Sequence, residues 1–210
     1  MRTQEVGILK AHSLRCTRGS AELFSNLNFS IESGEALVVE GSNGSGKTSL
    51  LRILCGFNQP VEGEITWCDE AIDKHEDYQQ QISFIGHQSG VKLDLTVLEN
   101  LLFAQRMVGT TRSESEIKEI IRTVGLFKQR NVLTRKLSAG QKRRVALARL
   151  QLEERMIWIL DEPLTALDKE FVTEFEAVLK NHLDNKGMLI ITTHRDLKIP
   201  EHNIKRLNLS

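Results

Sequence analysis

The sequence predicts an α/β fold with a mainly parallel sheet, organised around a glycine-rich loop. Three observations predict it. Short apolar, β-branched runs at Ala36–Glu40, Met156–Leu160 and Met188–Thr193 have the length and composition of buried strands. Segments with helical spacing alternate with them: Leu50, Leu51, Ile53 and Leu54 after the first run, and residues 169–183 between the last two. Between the first strand and its helix lies Gly41-Ser-Asn-Gly44-Ser-Gly46-Lys47-Thr48, which fits G-x-x-x-x-G-K-[ST] with an extra glycine at 44.

Taken in order, residues 6–34 read as strand material, Gly7–Ser13 and then Leu23–Ile31 in rough alternation, closed by Ser33-Gly34. The strand, glycine-rich turn and helix that follow aim successive backbone N–H groups and a positive helix end at one point, as the phosphates of a nucleotide require. In that reading Lys47 reaches the β- and γ-phosphates and the Thr48 hydroxyl completes a Mg²⁺ shell. The helix ends at Cys55-Gly56, and two further short strands are expected at Gly63–Trp67 and Gln81–Ile85, the latter leading into Gly86-His87-Gln88.

From Thr96 the pattern turns helical. Thr96 is placed to cap Val97–Met107, and Ser113-Glu-Ser-Glu116 is a capping-box signature for a second helix with Ile117, Ile120, Ile121 and Val124 as its stripe. Ser138 opens a third, from Ala139 to about Glu153. Residues 89–155 thus form a helical insertion, with 1–88 and 156–210 as the core of a single domain spanning 1–210. Strand character returns at Met156–Leu160, followed by the helix from Lys169 to about Leu183, the strand Met188–Thr193 and a last strand near Ile204–Leu209.

Composition narrows the class. The 210 residues carry 28 Lys+Arg against 28 Asp+Glu, so no global basic field points to nucleic acid. The longest apolar runs are too short to span a bilayer, and residues 1–15 lack the apolar core of a signal peptide, so the chain is expected to stay in the cytosol. Three cysteines without C-x-x-C spacing and six histidines without metal-ligand spacing give no support to a disulfide framework or a zinc site. The guanine-reading N-K-x-D of GTPases is absent, since the only Asn-Lys pair, Asn185-Lys186, continues Gly-Met.

The second half of the site follows the strand Met156–Leu160, which delivers Asp161-Glu162-Pro163 at its carboxyl end, where ligands bind in open parallel sheets. Asp161 is suited to hold the Mg²⁺ shared with the phosphates, and Glu162 to orient or deprotonate the attacking water. His194 ends the run MLIITT and Gln88 stands just past another strand. From the residues alone, each reads equally as structural or as a contact to phosphate, metal or water. Leu137-Ser138-Ala139-Gly140-Gln141 makes a second anion-receptive helix start, which reads either as a plain capped helix or as a cradle offered to the nucleotide of a second chain.

Together these residues resemble the ATP-binding subunits of ABC transporters over nearly the whole chain. GSNGSGKT (41–48) resembles Walker A, WILDEP (158–163) Walker B, LSAGQ (137–141) the family signature and TALD (165–168) the D-loop, with Gln88 and His194 in the Q-loop and H-loop places. The resemblance implies a P-loop NTPase (RecA-like) core with an antiparallel β-subdomain and a helical subdomain, and two copies sandwiching two ATP with Mg²⁺. It implies nucleotide contacts from Gly41, Ser42, Asn43, Gly44, Ser45, Gly46, Lys47, Thr48 and Ser49, and across the dimer from Ser138, Gly140 and Gln141. It also implies metal contacts from Thr48, Gln88 and Asp161, and catalytic roles for Glu162, His194 and Gln88. Two departures stand out: Ala139 replaces the first signature glycine, and no aromatic stands near Cys16–Arg18 to stack on adenine, leaving Arg18 as the candidate.

Residues 84–101, 136–150 and 158–168 are similar, more narrowly, to the branch of the family that serves c-type cytochrome maturation as a haem exporter. That likeness implies an integral membrane partner of the CcmB type, a homodimer of ATPase subunits, no nucleic acid, and a peripheral place on the cytoplasmic face of the bacterial inner membrane. The alternatives are another small-substrate transporter and a soluble ABC protein acting on nucleic acid.

Overall fold

The computed structural model describes residues 7–209. The first six residues and Ser210, part of the expected single domain and of the stretch examined for a signal peptide, lie outside the described residues. The strands are β1 Ile8–Arg18, β2 Ala21–Glu32, β3 Ala36–Gly41, β4 Glu62–Trp67, β5 Glu70–Ala71, β6 Ile82–Ile85, β7 Ile157–Asp161, β8 Met188–Thr192 and β9 Ile204–Leu209. The helices are α1 Lys47–Leu54, α2 Val97–Val108, α3 Glu114–Thr123, α4 Ala139–Ala148 and α5 Lys169–Asp184.

These elements fall into two compact units. One contains the chain up to Phe84, Arg155–Asp161 and Val178 onward; the other contains Ile85–Glu154 and Glu162–Ala177. The helical unit therefore takes in residues 85–88 and 162–177, beyond the insertion 89–155 read from the sequence.

In the first unit a five-stranded sheet runs in the order β6-β7-β8-β3-β9, with β7 and β8, β8 and β3, and β3 and β9 parallel. Every residue of β7 and β8 is buried, which is why these strands are continuous apolar runs rather than alternating ones. Their register sets Asp161 opposite Thr192 at the carboxyl edge. On α1, Leu50, Leu51, Ile53 and Leu54 belong to one hydrophobic cluster with Leu37 and Val39 of β3, Ile157 and Ile159 of β7, and Leu14, Ile65 and Trp67 of the other sheet. Burying an aliphatic side chain of this size contributes about 1.5–3 kcal/mol. The helix behind the glycine loop is thus anchored by its core contacts.

The second sheet, β2-β1-β4-β5, is antiparallel. It is the antiparallel subdomain implied by the family resemblance; the residue pattern by itself suggested only strands. Irregularities in the β1–β2 ladder fall where Ser13 and Asn26 take positive φ, and Asn28 Oδ1 accepts the Ser13 N–H at 2.9 Å. Cys68 and Asp69, both at positive φ, turn β4 into β5, a strand too short to leave a sequence pattern.

The second unit packs α2, α3 and α4. Thr96 Oγ1 accepts the Glu99 N–H at 3.2 Å while the Glu99 carboxylate accepts the Thr96 N–H at 2.7 Å. Ser113 and Glu116 form the same reciprocal pair. Buried Val97 and Leu101 of α2 and Ile117 and Ile121 of α3 lie on the apolar faces that the helical spacing marked, and Val145–Ala148 of α4 are buried as well. The third helix stops at Ala148 and tightens into a 3₁₀ turn at Arg149–Gln151 instead of continuing to Glu153, a common way for a helix to close.

Candidate nucleotide-binding and hydrolysis site

The glycine loop in the first unit is built by close backbone approach. Gly41 has φ 146°, and a Cβ there would stand 2.5 Å from Ser45 Oγ and 2.6 Å from the Leu209 carbonyl oxygen. Gly46, the residue before α1, has φ 101°, and its Cβ would press on Leu23 Cβ at 3.0 Å and on the Phe24 ring. Only glycine fits either place without displacing backbone or ring. The loop then enters α1 with the Leu50 N–H donating to Gly46 O at 2.8 Å, so the N–H groups of the first turn have no partner within the helix.

Lys47 is 9% exposed and its ammonium donates to Gly41 O at 2.7 Å and Ser42 O at 3.1 Å. The charge is thereby held over the loop, a position from which it serves an anion. Thr48 Oγ1 donates to Asp161 Oδ2 at 2.8 Å, and Thr192 Oγ1 donates to Asp161 Oδ1 at 2.8 Å. Asp161 is 2% exposed, so each carboxylate oxygen is fixed by a hydroxyl. The set suits a hard divalent cation: one hydroxyl and one carboxylate, all oxygen. Among the described residues no cluster of three or more His, Cys, Asp or Glu could hold a metal by itself. The remaining ligands of a Mg²⁺ here would come from phosphate and water, as Mg²⁺ commonly prefers. His194 is exposed, just beyond the end of β8.

The second unit holds the other expected residues. Gln88 is exposed, past the end of β6. Glu162 is half-buried with φ 50°, uncommon for a side-chain-bearing residue, and its carboxylate accepts the Thr165 hydroxyl at 3.5 Å. Ser138 caps α4: its Oγ accepts the Gln141 N–H at 3.2 Å, and Gln141 Oε1 accepts the Ser138 N–H at 3.0 Å. That bond uses an oxygen lone pair and leaves the hydroxyl proton to donate. Ala139 is exposed, whereas a Cβ at Gly140 would stand 2.6 Å from Ala166 O. An alanine is therefore accommodated at 139 and excluded at 140.

Sequence reading missed Thr192 and Arg143. Thr192 is recognisable once β7 and β8 are neighbours in register, because its hydroxyl then lies level with Asp161. Arg143, 6% exposed, carries no motif of its own and shows itself through partners that include the carbonyls of Pro163 and Gly86. Where the family resemblance expects the contact to adenine, Cys16 is buried and Arg18 is exposed at the end of β1.

A phosphate loop at the carboxyl edge of a parallel sheet, facing a buried acid on the next strand but one, defines a P-loop nucleotide-binding protein. The sequence profile of the ABC transporter family matches residues 24–165, and the chain belongs to that family as an ATP-hydrolysing subunit. Among curated proteins it is 45% identical over 203 residues to the cytochrome c biogenesis ATP-binding export protein CcmA of Vibrio vulnificus, covering 96% of this chain and 99% of that one. The CcmA of Nitrosomonas europaea is 44% identical, covering 98% and 97%. Among solved structures, an ABC transporter ATP-binding protein from Pyrococcus furiosus superposes with a TM-score of 0.82 at 26% identity, covering 95% of this chain and 97% of that one. A dimeric ATP-binding cassette in a post-hydrolysis state with ADP and Pi shares the fold, with a TM-score of 0.79 at 24% identity over 95% and 94%. Among the described residues no helix is long and apolar enough to cross a membrane.

Proposed function

We propose that this chain is the ATPase subunit that energises a membrane-embedded transporter of c-type cytochrome biogenesis, a haem exporter of the CcmAB kind. The observation that carries the chemistry is the buried Asp161, bound on one side by Thr48 of the glycine loop and on the other by Thr192. The cytochrome assignment rests on the near full-length likeness to CcmA proteins.

In this reading the N–H groups from Gly41 to Ser49 receive the phosphates of ATP, and Lys47 exchanges its loop carbonyls for phosphate oxygens. Thr48 and Asp161 would hold a Mg²⁺, with Gln88 the further ligand that the family resemblance implies, and the ion would supply charge neutralisation to the phosphates. Glu162 takes the proton of the attacking water as its oxygen bonds to the γ-phosphorus, and the bond to the β–γ bridging oxygen breaks to release ADP. His194 steadies the γ-phosphate. Ser138, Gly140 and Gln141 of a second copy close over the same phosphate, so binding joins two chains and hydrolysis separates them. Arg18, through its guanidinium plane, takes the place of an aromatic against adenine. The helical unit passes the motion to an integral membrane subunit of the CcmB type at the cytoplasmic face of the inner membrane.

Glu162→Gln tests the reading. Turnover is expected to fall by about 100-fold or more, while MgATP accumulates on a dimer resolvable by size-exclusion chromatography. Wild-type turnover in this variant sinks the assignment. Recovery of the wild-type chain in membranes only when a CcmB-type protein is co-expressed tests the transporter half.

A further inference from the structure

Within the helical unit one face of α4 meets the turn that follows Glu162. Gly140, Arg143 and Arg144 are spaced i, i+3 and i+4 and so share that face. At Gly140 the helix backbone closely approaches Ala166 O. Arg144 pairs with Asp168 and lies 4.3 Å over the Phe171 ring. Between them Arg143 donates through Nε to Pro163 O at 3.1 Å and through Nη1 to Gly86 O at 2.7 Å.

A guanidinium that is 6% exposed is an expensive group to bury, and a methionine or leucine would fill similar volume without the desolvation cost. Arginine differs in having a rigid planar fork able to donate to two acceptors at fixed separation. Both of these acceptors are backbone carbonyls, from segments far apart in sequence. Pro163 is bonded directly to Glu162, which itself sits at φ 50° and needs neighbours to hold it there. Gly86 lies two residues before Gln88.

We propose that Arg143 is a positioning residue for hydrolysis, tying the backbone after Glu162 and the backbone before Gln88 to the helix that begins at Ser138. The inference rests on the roles given above to Glu162 and Gln88. Loosening this tie misplaces the proton acceptor relative to the water while leaving the glycine loop untouched. The Arg144–Asp168 pair still joins α4 to the turn when Arg143 is changed.

The test compares Arg143→Gln and Arg143→Lys with wild type and Glu162→Gln, as full chains. Readouts are kcat and KM for MgATP, affinity for a trinitrophenyl-ATP probe, and thermal unfolding. For Arg143→Gln, kcat per nucleotide-binding site is expected to fall about 10- to 100-fold, with KM and probe affinity within about threefold of wild type. Arg143→Lys, which keeps the charge but lacks the fork, is expected to recover part of the loss. Unchanged kcat per binding site in both variants overturns the proposal. So does loss of probe binding together with turnover in both, which assigns Arg143 to folding alone. An inactive Glu162→Gln beside a fully active Arg143→Gln rejects this inference only; an active Glu162→Gln removes the reading on which it stands.

Discussion

His182 on α5 illustrates what one half-buried polar side chain sets in this molecule. Its ring stacks on Trp158 of β7 at 3.8 Å between centroids, and its Nε2 bonds to the Met188 carbonyl at 3.1 Å. Gly187 passes so near the ring that any side chain at 187 would overlap it. Burial lowers the imidazole pKa from 6.5 to about 4, with the backbone bonds to Met188 and Met156 opposing the shift. The folded state therefore keeps this histidine neutral at pH values where the unfolded chain already binds a proton. Its contribution is fully present above pH 6.5, falls as the pH descends, and reaches its floor below about 4, where both states are protonated. Thermal unfolding from pH 8 to pH 4 is expected to show a wild-type Tm that drops below pH 6.5 more steeply than that of His182→Phe, which keeps a ring on Trp158 but cannot titrate. Parallel profiles for the two proteins would remove His182 as the cause.

At the scale of elements, the Thr96 cap of α2 and the capping box of α3 were legible because a cap is a local bargain between residues three apart. The glycine loop was legible for the same reason, its strand, turn and helix being contiguous. What α4 does was not legible: its face at 140, 143 and 144 acquires meaning only against the turn at 163–168, and helical spacing alone cannot name a partner so distant in sequence. The antiparallel arrangement of β1, β2 and β4 was likewise hidden, since long alternating strands state their faces but not their neighbours. The α4 contact explains why the signature tolerates alanine at one position only. Gly140→Ala places a methyl carbon 2.6 Å from the Ala166 carbonyl, which cannot yield without moving the turn. Overpacking of this kind costs about 1–3 kcal/mol. Gly140→Ala is expected to lower both Tm and ATP turnover, while Ala139→Gly leaves turnover within about twofold and costs at most about 1 kcal/mol of helix propensity. Equal losses in the two variants, measured by melting and phosphate release, would show that the close approach at 140 is not what selects glycine.

For the whole molecule the proposed function turns on two helix starts in one chain, the loop before α1 and the Ser138 cap of α4, which belong to two compact units. A single nucleotide in a single chain has need of the first alone. In the proposed cycle the second serves the nucleotide of another copy, so the hydrolytic machinery exists only while two chains are joined. Binding and turnover then depend differently on concentration. Affinity for ADP, which lacks the γ-phosphate that the second cap covers, is expected to be the same in dilute and concentrated protein, whereas ATP is expected to bind more tightly as the protein is concentrated. Turnover per chain is expected to rise with protein concentration, approaching first order in chain where dimers are scarce and levelling off once they dominate. Mixing provides a second arm. Adding an excess of the double variant Ser138→Arg, Glu162→Gln to a fixed amount of wild type draws wild-type chains into dimers in which one site lacks its cap and the other its proton acceptor, and turnover is expected to fall by about half or more. Specific activity that stays constant on serial dilution down to nanomolar chain, and is indifferent to the added variant, would mean that one chain suffices and that the Ser138 helix start is an ordinary cap.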